Sequence, residues 1–451
     1  MEMEHKHALS QLRQQLITEG IRRASGLDGT SVNLKQVAAA VGVPLNDAQD
    51  VFPTEEHFRE ELLAQCTQRL NSHLPSSIDT ADFEQTATQF ADGYLSFAST
   101  SPLHFTAYNS LACTRTFPTD YEADLDVLPI DPVFARLLGV TRKYMRELGS
   151  PQSPWLWSVV TVVLYSGIHG ITHLHCQGAT RRLSKSGRKI LFNAVINHVI
   201  HACRIVLPEG NVFKLAPHTY RSDLVPSNEF GVDKASALRE QLFEGAVRVV
   251  HQEGIDLLTV ERAAASANIP LHTARQLLTP DQSFQHQLCD HLGATMKMHL
   301  MAQFGQLPNT PHPFELSKAI GAAYIGLAVS FPKHFDVYTL IYEQSIMPDS
   351  SPDVPMGEAM QFLFDTTRQV LEVAGTPPST IQIFEASLNL WATAHGLATL
   401  QSSGPFSHLS AELRTTLISA LLDISGTSLI TRLRLVSPEE AKSQMVRIEQ
   451  H

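Results

Sequence analysis

Val37-Ala-Ala-Ala-Val-Gly-Val-Pro44 and Ala263-Ala-Ala-Ser-Ala-Asn-Ile-Pro270 are one short phrase written twice, 226 residues apart. Small residues let two helices approach closely, and a glycine accepts positive φ at little cost, with asparagine the next most tolerant residue. Each copy therefore predicts two short helices joined by a tight turn at Gly42 or Asn268. The repetition runs well beyond the phrase. Leu12, Arg13 and Leu16 meet Leu238, Arg239 and Leu242 at the same offset, and Tyr94-x-x-x-Ala98-x-x-x-Pro102-x-x-Phe105 returns as Tyr324-x-x-x-Ala328-x-x-x-Pro332-x-x-Phe335, displaced by 230. Gly149-Ser-Pro151 with Gly375-Thr-Pro377, and His169-Gly170 with His395-Gly396, restore the offset of 226. A period of this length is too long for a solenoid, so each copy is a domain-sized unit and the chain reads as a tandem duplication.

At 451 residues and 43% hydrophobic content, two or more cores are expected. The net charge of −11 opposes broad attraction to nucleic acid or anionic membrane, so any such contact must be local. Cys66, Cys113, Cys176, Cys203 and Cys289 are odd in number and scattered, which points to neither a disulfide framework nor a zinc finger and suits a reducing cytoplasm. No signal peptide is readable at the N-terminus. The uncharged run Trp155 to Ile171 is short for a membrane span and is expected to be a buried helix. Between the copies, 207–235 is rich in proline, glycine, serine and asparagine, the composition of a linker.

Within each copy the apolar period is helical: Leu12, Leu16, Ile17, Ile21 and Ala24, then Leu238, Leu242, Phe243, Ala246 and Val250. Asn33 with Gln36 reads as a capping box, Thr54 before Glu55 and Glu56 as an N-cap, and Thr279-Pro280 as an N-cap with proline at N1. No sustained period-two pattern competes, although strand and helix are hard to separate over Ser158 to Ile168. The expected fold is all-α.

A long helix, a helix ending Ala-x-x-x-Gly-Val, a short helix, and Phe52-Pro-Thr-Glu-Glu-x-Phe58 opening a fourth resemble the DNA-binding head of TetR-family regulators. Trp391-x-x-x-His395-Gly396, matched by Tyr165-x-x-x-His169-Gly170, resembles the regulatory domain of the TetR subgroup with a Trp-His-Gly signature. The resemblance implies helix-turn-helix heads at 8–66 and 236–292, and helical regulatory domains at 80–206 and 312–440. It also implies duplex DNA as partner and a small-molecule effector in the regulatory domain. Its dimer interface would fall on Ser158 to His175 with Lys189 to Val206, and Ile381 to Leu400 with Leu413 to Leu433. Packed together, these four segments would make an intramolecular pseudo-dimer, with a homodimer of fused chains as the other arrangement.

Phosphate neutralisation supplies most duplex affinity, and base edges need donors. Where the family carries its phosphate-contacting Thr, Tyr, Tyr and Lys, the first copy has Asp47, Gln49, Val51 and Glu55. Ser10 to Cys66 holds five basic against eight acidic residues, and Ala237 to Leu292 four against seven, a net of −3 each. The second copy nonetheless keeps His272, Thr273, Arg275 and Gln276, the residues expected to touch DNA, while Asp281 at the Lys position argues against it. The alternative is a DNA-independent ligand sensor or protein-interaction adaptor that retains the heads for packing alone.

Effector-pocket residues are expected among Tyr94, Phe105, Trp155, Trp157, Tyr165, His169, Tyr324, Phe335, Trp391 and His395, whose aromatic character suits an apolar effector. His169 and His173 share a helix face, with His175, Cys176, His198 and His201 nearby in sequence. The expected reading is nevertheless no metal and no cofactor, because no carboxylate lies close and His169 belongs to the signature. With no Gly-rich phosphate loop, G-x-S-x-G or H-E-x-x-H, no enzymatic activity is expected.

Overall fold

A computed structural model of the chain describes residues 2–26, 32–75, 82–112, 131–147, 154–176, 178, 180, 183–206, 234–307, 311–346, 358–373 and 377–432. Among the described residues there is no strand, and the fold is all-α. The first half carries α1 (Glu2–Ala24), α2 (Leu34–Val41), α3 (Leu45–Val51), α4 (Glu55–Asn71), α5 (Phe83–Thr100), α6 (Pro102–Leu111), α7 (Pro132–Glu147), α8 (Pro154–Cys176) and α9 (Lys185–Val206). The second carries α10 (Lys234–Glu253), a 3-10 turn (Ile255–Leu257), α11 (Val260–Ser266), α12 (Leu271–Gln276), α13 (Phe284–Phe304), α14 (Pro313–Ser330), α15 (Pro332–Ile346), α16 (Glu358–Val373), α17 (Thr380–Ser402) and α18 (Ala411–Arg432). Both ends of α7, α8 and α9 recur 226 residues later in α16, α17 and α18, and α5 recurs as α14 with both ends shifted by 230. Residues 207–233 of the expected linker, Gly149-Ser-Pro151, Cys113 and the part of the expected 312–440 domain from 433 onward lie outside the described residues.

Local chemistry sets the helix starts. Asn33 accepts the Gln36 amide at 3.0 Å and Thr54 the His57 amide at 3.1 Å, each satisfying an orphan donor of a first turn. Thr279 does not cap α13, contrary to the sequence expectation. The buried Gln287 accepts the Thr279 amide at 2.9 Å and donates to the carbonyls of Thr279 and Gln282 at 3.0 and 3.1 Å. That holds 279–282 as a turn, and the helix begins after Ser283, which caps the His286 amide. The α2–α3 turn places Gly42 at φ 81°, and Asn268, at φ 54° between α11 and α12, is the one non-glycine with positive φ among the described residues. Ala38 and Ala264 are buried beside these turns.

The ambiguous stretch Ser158 to Ile168 lies inside α8, which is buried almost throughout. This helix is long and apolar enough to cross a membrane, yet its apolar face is spent inside the protein. α8 and α9 pack against α17 and α18, which makes a four-helix bundle between the two halves. At its centre a Cβ on Gly170 would lie 1.8 Å from the Ala392 carbonyl oxygen, and a Cβ on Gly396 would lie 1.8 Å from that of Ser166. The clashing carbonyls are themselves 226 residues apart, so α8 and α17 meet backbone to backbone in a reciprocal contact that only glycine permits. His198 Nε2 to Ser425 Oγ at 3.0 Å, and Ser428 Oγ to the His198 carbonyl at 3.0 Å, join α9 to α18.

Candidate functional site

The two short-helix pairs present unlike surfaces. On α3, Ala48 is buried and Asn46, Asp47, Gln49 and Asp50 face solvent, which makes an anionic face. Glu55 is occupied differently: its carboxylate accepts the Leu34 amide through both oxygens at 3.0 and 2.9 Å, and so caps α2 from the start of α4. On α12, Ala274 is buried, His272, Arg275 and Gln276 are exposed and Thr273 is half-buried. The four residues expected at a DNA surface therefore share one small helix. Arg275 is already engaged there, its guanidinium 2.8 Å from the Glu261 carboxylate of α11, an exposed pair that solvent weakens. The chemistry available on α12 is donor-rich, while that on α3 is acceptor-rich and negative.

Helices α5 to α9 and α14 to α18 bring most of the expected aromatic residues together. Tyr94, Phe105, Tyr165 and His169 are fully buried and converge, with Tyr94 Oη 2.9 Å from His169 Nδ1 and its ring edge-on to Phe105 and Tyr165. In the second half Tyr324 Oη is 2.8 Å from His395 Nδ1, and Phe335 packs edge-on to Tyr324. Trp155 stands apart in sequence, in the first turn of α8, and Trp157 is buried beneath the Arg142 guanidinium.

Hydrogen-bond directions in the second half follow from one donor-only group. The indole N–H of Trp391 can only donate, and its partner is Tyr324 Oη at 3.4 Å. Tyr324 then donates its own proton to His395 Nδ1, so a neutral His395 carries its proton on Nε2 and donates to His173 Nδ1 at 2.9 Å. Burial, with the neighbouring His173 adding to it, holds the His395 imidazole well below its usual titration range and keeps it neutral. The chain Trp391, Tyr324, His395, His173 therefore runs from the second half into the first.

A cavity opens beside this chain. It leaves about 60 Å³ to the centre of a water-sized sphere, and its wall includes Tyr324, Trp391, Met296, Phe314, Tyr338 and Met360. Of the expected residues, Tyr324 and Trp391 line it, while Phe335 and His395 stand behind Tyr324. Its polar rim had not been expected from the sequence. Lys318, buried on α14, places Nζ 3.0 Å from both Glu315 and Asp423 of α18, and 5.2 Å from the centre of the Phe314 ring. A lysine in the otherwise apolar α14 with an acid three residues before it was the available signal.

Two further histidines of the first half are tied into its packing. His175 bonds Thr180 Oγ1 and the Arg188 carbonyl, each at 2.6 Å, and His198 bonds Ser425. Among the described residues no three His, Cys, Asp or Glu side chains gather in a way that could hold a metal ion.

Residues 317–424, which run from the first turn of α14 into α18, match the family model described as the tetracyclin repressor-like C-terminal domain. The matched segment contains most of the cavity wall together with Tyr324, Trp391 and His395. No curated protein and no solved structure matches the chain.

Proposed function

We propose that this protein is a TetR-like transcriptional regulator built as a tandem duplication, acting in the cytoplasm as an intramolecular pseudo-dimer. Its helix-turn-helix heads would be 8–66 and 236–292, its regulatory domains 80–206 and 312–440, and its linker 207–235. The observation that carries the reading is the tetracyclin repressor-like match over 317–424, which supports a regulatory domain in the second half, after the short helices α11 and α12 and the long α13. The recurrence of helix bounds at 226 residues and the reciprocal Gly170–Gly396 contact support the duplication and the pseudo-two-fold packing. DNA contact falls mainly to His272, Thr273, Arg275 and Gln276 of α12, since α3 offers carboxylates where phosphates would lie. The effector is a small apolar molecule held between α14 and α18.

One observation favours a second reading, a DNA-independent sensor or adaptor: each head carries a net charge of −3, and Arg275 is paired with Glu261. Selection of the purified protein against a random duplex library, at low and near-physiological salt, separates the two. Enrichment of a lopsided site that weakens steeply with salt and is lost on Arg275→Ala supports regulation through α12. Absence of enrichment at either salt overturns DNA recognition and leaves the sensor reading.

A further inference from the structure

We infer that the chain takes one effector, not two, and that its class is an uncharged, flat, two-ring molecule bearing a single hydrogen-bond acceptor. This rests on the regulator reading for its meaning but not for its test. At the offsets of the repeat, Gly321, Ala394, Ser425 and Gly426 of the cavity wall correspond to Ala91, Ile168, Val199 and Ile200 in the first half. All four first-half side chains are bulkier and all are buried in its core. Met360 is likewise replaced by Phe134, which packs edge-on to Phe406 of the other half at 5.3 Å. At these five wall positions the first half therefore places more side-chain bulk where the second half is open.

The charges have diverged in parallel. Glu315, Lys318 and Asp423 of the rim correspond to Gln85, Thr88 and Asn197, so this buried triad is not repeated at those positions, and α5 and α9 are tied instead by the exposed pair Glu84–Arg204. The triad satisfies Lys318 with two carboxylates, which leaves no cationic partner for an anionic ligand and favours a neutral one. Size follows from geometry. A void with about 60 Å³ open to the centre of a 1.4 Å sphere accommodates a molecule of roughly 200 Å³ once the sphere's radius is added, the bulk of two fused rings. Stacking surfaces come from Trp391, Tyr324, Tyr338 and Phe314. The acceptor follows from Trp391: its N–H reaches Tyr324 at 3.4 Å, the longest link of the chain, so a ligand carbonyl at normal distance outcompetes it.

The test uses the full chain and prodan, an uncharged naphthyl ketone whose emission reports polarity, titrated to saturation. One equivalent per chain is expected, with Ala394→Ile abolishing it and Ile168→Val in the first half leaving it intact. Trp391→Phe should weaken prodan roughly fivefold, the worth of about one net hydrogen bond, and should leave the same naphthalene without its ketone unchanged. Anionic anilinonaphthalene sulfonate should not compete. Two equivalents per chain, binding that survives Ala394→Ile, or no binding would each overturn the inference. None of those results bears on DNA selection, so a failed stoichiometry and a failed regulator reading are told apart.

Discussion

Replacing Gly170 by alanine puts a methyl group 1.8 Å from the Ala392 carbonyl oxygen, a backbone atom that cannot rotate away. Ordinary van der Waals contact begins at 3.4 Å, so α8 and α17, which pack closely together, must part by about 1.6 Å at their crossing. Overpacking of this kind typically costs 1 to 3 kcal/mol, and with both helices fixed by α9 and α18 the cost should reach about 3 kcal/mol. Gly139 supplies the control with the opposite sign. It lies within α7, a Cβ there would meet nothing within 4 Å, and Gly139→Ala should stabilise by about 0.5 to 1 kcal/mol through helix propensity. Urea unfolding followed by circular dichroism measures both. Because Gly396→Ala forces the same separation, the Gly170→Ala, Gly396→Ala double variant should cost less than the two singles added. A Gly170→Ala protein as stable as the parent, or singles that add fully, would refute the backbone-to-backbone crossing.

Three further expectations concern the two short-helix pairs and the buried histidines. Glu55→Lys, which restores the family's residue, should lower the melting temperature rather than create DNA affinity, because it removes the carboxylate that caps the Leu34 amide; a cap is worth about 0.5 to 2 kcal/mol. Glu261→Ala should release Arg275 and strengthen duplex binding at low salt, read as slower electrophoretic migration of labelled DNA, with no gain in the Arg275→Ala background. Burial holds His169 and His395 well below 6.5, so the unfolded chain binds more protons than the folded one as pH falls through 6.5. Stability should therefore decline from pH 7 toward pH 5, and His395→Asn should flatten that decline in a pH series of urea melts. Asp131 and Asp336, raised by burial to about 6 and about 7, work in the opposite sense between 3.8 and those values and offset part of that decline.

Much of the fold was legible because periodicity and turn chemistry are local. Gly42 and Asn268 needed only their own φ to be read, and the all-helical pattern needed only apolar spacing. The start of α13 was misread because the residue that decides it, Gln287, reaches back from the following helix to hold 279–282, a contact no local rule contains. Of the residues lining the cavity, Tyr324 and Trp391 were found through their aromatic character. Lys318, Glu315 and Asp423 were missed because their meaning depends on α14 lying against α18, more than one hundred residues away in sequence. Glu55 was read as a lost phosphate contact, and the structure gives it a different task.

The two halves carry the same residue where both sides of the bundle need it, and differ elsewhere. Gly170 and Gly396 are both kept, because the α8–α17 crossing needs the missing Cβ on each side. Tyr94 and Tyr324 are both kept, because each holds a buried histidine neutral and oriented. By contrast Ile168 against Ala394, and Asp47 against Thr273, are positions where one half can be filled or acidic without unmaking the shared bundle. In a dimer of separate identical chains, each such change would appear on both sides at once. Within one chain that constraint is absent, so the α3 surface can be acidic while α12 keeps hydrogen-bond donors.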